Sequence, residues 1–86
     1  MNKDLSELYC GSNELKSLDL SQNKLLTKLS CSDNQLEALN MKNDNNGLIT
    51  YFKTTGNTDL NCIQVDNAVW SEANWTNIDS WTNFSE

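Results

Sequence analysis

Two stretches of this sequence nearly repeat each other: LSELYCGSNEL at residues 5–15 and LTKLSCSDNQL at residues 26–36. The segments that follow them, KSLDLSQN at 16–23 and EALNMKND at 37–44, align at the same offset of 21 residues. A fixed period of about this length is the signature of a fold built from stacked structural repeats. The repeat therefore predicts the fold of most of the chain.

Each unit of 21 residues contains two copies of a shorter pattern, L-x-x-L-x-(C/L/M)-x-x-N. The clear copies begin at Leu5, Leu15, Leu26 and Leu36. Two looser copies begin at Ile49, after an insertion around residues 45–47, and at Leu60. Apolar residues at i, i+3 and i+5 match neither a helical stripe nor long strand alternation. They suit a short strand whose residues i+3 and i+5 face inward. A bend precedes this strand, and residue i in the bend also faces inward.

A bend in every half-unit brings the chain back to the same side after 21 residues, so that successive turns stack as parallel strands about 4.8 Å apart. Equivalent positions then form ladders, for example Leu8, Leu29 and Phe52. The asparagine at i+8, as at Asn13 and Asn34, is expected at the bend, where its side chain can hydrogen-bond backbone groups. The sequence predicts short parallel strands stacked in about three coils, with little helix.

The composition limits the functions open to this chain. Eighty-six residues are enough for one small domain. The net charge of −6 argues against nucleic acid or an anionic membrane surface as partner, since phosphates would be repelled. Residues 54–86 carry five acids and no base. The sequence contains no His or Arg, and no metal or cofactor is expected. It also contains no apolar run long enough to insert in a membrane and no signal peptide.

The repeat resembles that of the leucine-rich repeat proteins, in particular the bacterial class with a nested 21-residue unit, L-x-x-L-x-L-x-x-N-x-L-x-x-L-D-L-x-x-N-x-x. LKSLDLSQN at 15–23 fits the second half of that unit almost letter for letter. The Cys at the third core position is similar to a variant found in surface and secreted proteins of Bacteroidetes-type bacteria. The resemblance implies a leucine-rich repeat solenoid over residues 1–65 and an extracellular or cell-surface location.

Residues 66–86 leave the period and are predicted to form a short helical, aromatic C-terminal cap. They contain all the tryptophan of the chain, and the apolar positions 75, 78, 81 and 84 are spaced by three. Ser71 followed by Glu72 predicts the start of a helical turn there. An amphipathic aromatic segment is a common cover for the apolar end of a stack of repeats. The segment also resembles the closing segment of the same bacterial proteins.

The beginning of the sequence has no such cover, because only residues 1–4 precede the first repeat. We therefore hypothesise that this chain is a C-terminal fragment, or a truncated gene product, of a longer repeat protein. We expect Leu8 and Leu18 to be incompletely covered if this is so.

The three cysteines fall into two groups. Cys10 and Cys31 occupy one ladder, where parallel neighbours pack side by side; buried structural thiols are favoured there over a disulfide or half a metal site. Cys62 lies between Leu60 and Ile63 and is expected to face outward. The resemblance implies a disulfide partner for Cys62 beyond residue 86, and an unpaired thiol without a role is the alternative.

Outward positions of the strands are the candidate binding residues, because stacked repeats bind through a surface built from one residue per coil. The strands offer two such faces. The selected face consists of Glu7, Tyr9, Lys28, Ser30, Tyr51 and Lys53. The other face consists of Ser17, Asp19, Ala38, Asn40, Cys62 and Gln64. The first face mixes aromatic side chains with both charges, which favours it as a contact surface. The alternative is a solvated sheet face with no ligand, in which Glu7 and Lys28 form an ordinary cross-strand pair.

These features favour a non-catalytic protein–protein interaction module of a bacterial surface or secreted protein. No enzyme is expected, since no nucleophile–base pair stands out. Two alternatives stay open: a carbohydrate-binding module that uses Trp70, Trp75 and Trp81, with a glycan as partner, and a structural spacer. The carboxylates, including Asp66 and Asp79, are interpreted as a solvated face.

Overall fold

Short parallel strands make up most of the regular structure. The computed structural model describes residues 3–86; Met1 and Asn2, which begin the predicted repeat region, lie outside the described residues. The strands of this range are β1 Glu7–Tyr9, β2 Ser17–Asp19, β3 Lys28–Ser30, β4 Ala38–Asn40, β5 Tyr51–Lys53, β6 Cys62–Gln64 and β7 Asn83–Ser85. A 3₁₀ helix, Asn46–Leu48, precedes β5, and an α-helix, α1 Ala68–Asn74, follows β6.

The strands form two parallel sheets between which the chain alternates. The first sheet has the order β1-β3-β5 and the second the order β2-β4-β6-β7. In the first sheet Leu8 pairs with Leu29 and Leu29 with Phe52, which is the predicted ladder. The prediction of short parallel strands is thus confirmed.

One hydrophobic cluster receives side chains from both sheets. Its buried members are Leu20, Leu26, Leu29, Cys31, Leu36, Leu39, Met41, Ile49, Phe52, Leu60, Ile63, Val65 and Trp75. Most of them occupy the i, i+3 and i+5 positions of the half-repeat. Leu8 and Leu18 are half-buried, since β1 and β2 are edge strands of their sheets with one strand neighbour each. The inward positions predicted from the repeat are therefore the core.

The asparagines close the bends of the first sheet, as the sequence predicts. Asn57 Oδ1 accepts from the backbone N–H groups of Asn34 and Leu36, both at 3.2 Å. Its Nδ2 donates to the carbonyls of Cys31 and Thr54, at 3.1 and 2.8 Å. The bend leaves these groups without strand partners, and an amide can satisfy donors and acceptors together.

Left-handed backbone precedes the asparagine at each of these bends. Ser12, Asp33 and Gly56 have φ values of 59°, 55° and 82°. Asp and Ser accept this conformation at some cost, whereas Gly adopts it freely. A Cβ on Gly56 would collide with the Asp33 carboxylate. Glycine is required at that bend for two reasons, conformation and space.

The tail differs from its prediction in where its helix begins. Asn67 is the N-cap of α1, and its Oδ1 accepts from the N–H of Trp70 at 3.1 Å. The prediction of a helix start at Ser71 is wrong, because Ser71 lies inside the helix and is buried. The earlier start places Ser71 and Trp75, four residues apart, on the face that packs against the core.

The tail also returns to the sheet. β7 joins the second sheet beside β6, with Ile63 opposite Phe84. The three-residue spacing up to residue 84 was expected to be helical, and for its last member this is wrong. Phe84 follows Ile63, and Trp81 follows Leu60, by the same 21 residues as the repeat. That periodicity is the signal in the sequence that predicts β7.

Candidate functional site

The selected binding residues lie on one face because their strands pair in register. Glu7, Lys28 and Tyr51 are consecutive partners across β1, β3 and β5, and so are Tyr9, Ser30 and Lys53. The residue between them on each strand points into the core, so alternation directs both rows outward. We call this six-residue surface the Tyr9/Tyr51 face.

Two tyrosines stand at opposite corners of this face. Tyr9 is 59% exposed and Tyr51 is 42% exposed. Their strands lie two spacings apart, about 9.6 Å. Between them is a shallow open depression of about 470 Å³, lined by Tyr9, Lys28, Ser30, Thr50 and Tyr51. The small Ser30 side chain leaves room between two large ones, so a protruding side chain of a partner would fit there.

The Tyr9/Tyr51 face carries positive charge on an acidic protein. Lys28 and Lys53 extend from β3 and β5, and Glu7 is the one acid of the face. Among residues 3–86 the one ion pair joins Lys24 to Asp44, at 3.5 Å. Glu7 and Lys28 are cross-strand neighbours, as considered above, but they form no ion pair within the described chain. The two ammonium groups remain open to an acidic partner.

The second sheet presents a different outer face. Ser17 pairs with Ala38 and Asp19 with Asn40, while Cys62 and Gln64 continue these rows on β6. No lysine belongs to these four strands in the described chain. This outer face lacks the aromatic and basic side chains of the Tyr9/Tyr51 face.

Cys31 and Cys62 occupy the environments expected from the sequence, whereas Cys10 is less buried than expected. Cys31 is buried, Cys10 is half-buried and Cys62 is exposed, and all three are free thiols in the described chain. Burial, with Cys10 nearby as a second cause, raises the pKa of Cys31 to about 12; burial also raises the pKa of Cys10. Both stay protonated at neutral pH. The Cys62 thiol donates to Ser85 Oγ at 2.9 Å.

The tryptophans form no common platform. Trp75 is 3% exposed and stacks on Phe52, with ring centroids 4.1 Å apart and 11° between the planes. Trp70 meets Trp75 edge-on at 5.6 Å. Trp81 is 43% exposed, and its indole N–H donates to the Asn57 carbonyl at 3.3 Å. The expectation that all three stack on sugar rings does not hold for Trp75, because its faces are covered by protein.

Two carboxylates have structural roles that the sequence interpretation missed. Asp79 accepts from the N–H groups of Gly56 and Asn57, at 3.0 and 3.1 Å. Asp66 accepts from those of Asp44 and Asn46, also at 3.0 and 3.1 Å. Each one binds two backbone donors of an earlier bend, the bend after β5 for Asp79 and the bend after β4 for Asp66, as Asn57 does at the bend after β3. The interpretation of these two as a merely solvated face is wrong.

Comparison with protein-family models, curated proteins and solved structures found no match for this chain. In the described part of the chain, no helix is both long and apolar enough to cross a membrane.

Proposed function

We propose that this chain is a leucine-rich repeat solenoid that serves as a non-catalytic protein-binding module. The repeat over residues 5–65 and its resemblance to the bacterial nested class support the family assignment. The pairing of strands 21 residues apart in two parallel sheets is consistent with it. In such a fold, outward strand residues make one continuous surface for a partner.

The Tyr9/Tyr51 face is the proposed contact surface, and the observation that carries this proposal is its composition. Two exposed tyrosines border a depression whose wall includes Lys28, and neither Lys28 nor Lys53 has an acidic partner in the described chain. Tyrosine supplies amphipathic contact area with few rotatable bonds, and unpaired lysines favour an opposite charge. The partner is therefore an acidic protein segment.

The compartment is proposed from the resemblance. The cysteine at the third core position resembles a variant found in surface and secreted proteins of Bacteroidetes-type bacteria. The same resemblance implies a disulfide partner for Cys62 beyond residue 86. The exposed position of Cys62 leaves it accessible for such a bond.

Selection from a phage-displayed library of random peptides would test the binding face. We expect acidic peptides to be enriched on the immobilised chain. The double variant Lys28→Gln/Lys53→Gln should weaken their binding about tenfold or more, since loss of a central interface residue costs about 1–2 kcal/mol. Tyr9→Ser/Tyr51→Ser should weaken it similarly.

A matched control lies on the other sheet. Ala38→Glu/Gln64→Glu changes the net charge by the same amount as Lys28→Gln/Lys53→Gln but leaves the Tyr9/Tyr51 face intact. Equal losses of binding in the two charge variants would show a nonspecific charge effect and contradict the proposal. Peptides that bind with no dependence on the Tyr9/Tyr51 face would also contradict it and would favour the spacer alternative.

A further inference from the structure

A second concave surface lies at the open edge of the first sheet. It is a cleft of about 320 Å³ between β5 and the C-terminal end of α1. The residues that matter for its chemistry are Thr50, Tyr51, Trp70, Asn74, Thr76 and Asn77. We call it the β5–α1 cleft. Tyr51 borders both this cleft and the Tyr9/Tyr51 face, and the other five residues do not belong to that face.

The cleft exists because the first sheet is one strand shorter than the second. After β6 the chain forms α1 instead of a strand beside β5, and it then returns to the second sheet as β7. Just after the C-terminal end of β5, the following turn of the chain still pairs with it, since Asn77 O accepts from Thr54 N at 3.1 Å. Just before the N-terminal end of β5, at Thr50, no such pairing is present in the described chain. Thr27 O accepts from Thr50 N at 2.7 Å, but Thr50 O accepts from no backbone N–H in the described chain.

The cleft is closed to an added β-strand. Such a strand would place a side chain inward over Phe52, and the Trp75 ring already stacks there at 4.1 Å. It would also need the N–H of Thr54, which is bonded to Asn77. A ligand must therefore be compact and lie in the wedge between Thr50 and Asn74.

The cleft lining carries no charged side chain, although 21% of the chain is charged. Its polar groups are the hydroxyls of Thr50 and Thr76 and the amides of Asn74 and Asn77. Asn74 Nδ2 donates to Trp70 O at 2.8 Å, which leaves its Oδ1 as an acceptor. The Asn77 amide has no partner in the described chain and can donate and accept.

These groups match a neutral polyhydroxy ligand. Sugar hydroxyls both donate and accept hydrogen bonds, and the apolar face of a sugar ring packs on aromatic rings such as Tyr51 and Trp70. A phosphate or carboxylate would find no cation here. We propose that the β5–α1 cleft binds one or two neutral sugar units of a glycan.

Titration of the ¹⁵N-labelled chain with neutral oligosaccharides tests this proposal. The probes are cellohexaose, mannohexaose, xylohexaose and chitohexaose, followed by NMR and calorimetry. We expect at least one to saturate, with shifts centred on the amides of Thr50 and 74–77 and on the Trp70 indole. Asn74→Ala/Asn77→Ala should weaken binding about tenfold, as expected when paired polar groups are lost.

Two controls separate this site from other surfaces. Asn61→Ala and Trp81→Phe alter exposed side chains outside the cleft, and sugar binding should stay within about twofold. Lys28→Gln/Lys53→Gln should also leave it unchanged, so failure of the Tyr9/Tyr51 face is distinguishable from failure of the cleft. Absence of binding by all four probes, or shifts centred on Trp81 or Tyr9, would overturn the proposal. So would a peptide that displaces the sugar and needs Asn74 and Asn77.

Discussion

Asn57 shows how much a single repeat asparagine does. It is fully buried, and its side chain binds two backbone N–H groups and two carbonyls. It ties together two successive bends, because Cys31, Asn34 and Leu36 belong to the bend after β3 and Thr54 belongs to the bend after β5. A residue with only donors or only acceptors could not replace it.

Replacement of this amide should be costly. Asn57→Ala removes four hydrogen bonds to backbone groups, of which only the Cys31 carbonyl keeps another side-chain partner, Asn34 Nδ2. We expect the free energy of unfolding to fall by about 2–4 kcal/mol. Urea denaturation followed by circular dichroism measures the change. The control is Asn13→Ala, at the equivalent exposed bend, where two carbonyls are bonded. For Asn13→Ala the free energy of unfolding should fall by less than about 1 kcal/mol, because water can replace the side chain. Equal losses would contradict the role given to Asn57.

Cys31 gives the protein a predictable pH dependence. Its pKa is about 12 in the folded chain against an ordinary value of 9.0. Between these values the unfolded chain loses the thiol proton and the folded chain keeps it, so the folded state is progressively destabilised as pH rises. The Cys31 contribution is complete below pH 9 and should fall by up to about 1.4 kcal/mol per pH unit above it.

The measurement is urea denaturation from about pH 8 to about pH 10.5 for the wild type and for Cys31→Ala. All other ionisable side chains are the same in both proteins, so the difference between the two curves isolates the thiol. We expect the wild type to lose stability more steeply with pH than the variant. Parallel curves would show that Cys31 ionises in the folded chain as easily as in the unfolded one.

Among the elements, β7 forms the edge of the second sheet beside β6. It donates and accepts along β6, with Val65 N bonded to Ser85 O and Asn83 N to Asn61 O, both at 2.8 Å. Phe84, at its centre, meets Trp75 edge-on at 6.0 Å. The strand therefore connects the second sheet to the aromatic cluster that covers Phe52.

Removal of the Phe84 ring should loosen this end. For Phe84→Ala we expect a loss of about 1–3 kcal/mol, less than for a fully buried phenylalanine because Phe84 is half-buried. Hydrogen exchange at the Val65 amide should speed up, and Trp75 fluorescence should shift to the red. Val69→Ala is the control, because Val69 is 76% exposed on α1. The free energy of unfolding of this variant should change by no more than about 0.5 kcal/mol. Unchanged exchange at Val65 would mean that β7 does not protect β6.

At the level of the whole molecule, the two proposed sites occupy chemically distinct surfaces. The Tyr9/Tyr51 face carries Lys28 and Lys53, whereas the β5–α1 cleft is uncharged and rich in amides. Residues 54–86 bear five acids and no base. The proposed acidic partner would thus be attracted to the first sheet and repelled by the acidic residues 54–86, which would orient its approach.

The strand pattern was predictable from the sequence because it depends on neighbours along the chain. Alternation along three residues sends Leu29 inward and Lys28 and Ser30 outward, and the 21-residue period places Glu7 beside Lys28 and Lys28 beside Tyr51. The bend asparagines follow from the same repetition. For these reasons the six residues of the Tyr9/Tyr51 face were identifiable as one surface before the structure was known.

The tail and the cleft were not predictable in the same way, because two local patterns compete there. Residues 75–84 fit both a three-residue spacing and the 21-residue period, and short segments favour neither strongly. The stacking of Trp75 on Phe52 and the pairing of Phe84 with Ile63 join residues more than 20 apart, and these contacts select the strand for Phe84. Local periodicity in the sequence specified the strands and the outward face, because it depends on residues close along the chain. Long-range packing alone decided the roles of Asp66 and Asp79 and the cleft, because the residues involved lie about 20 or more apart in the sequence.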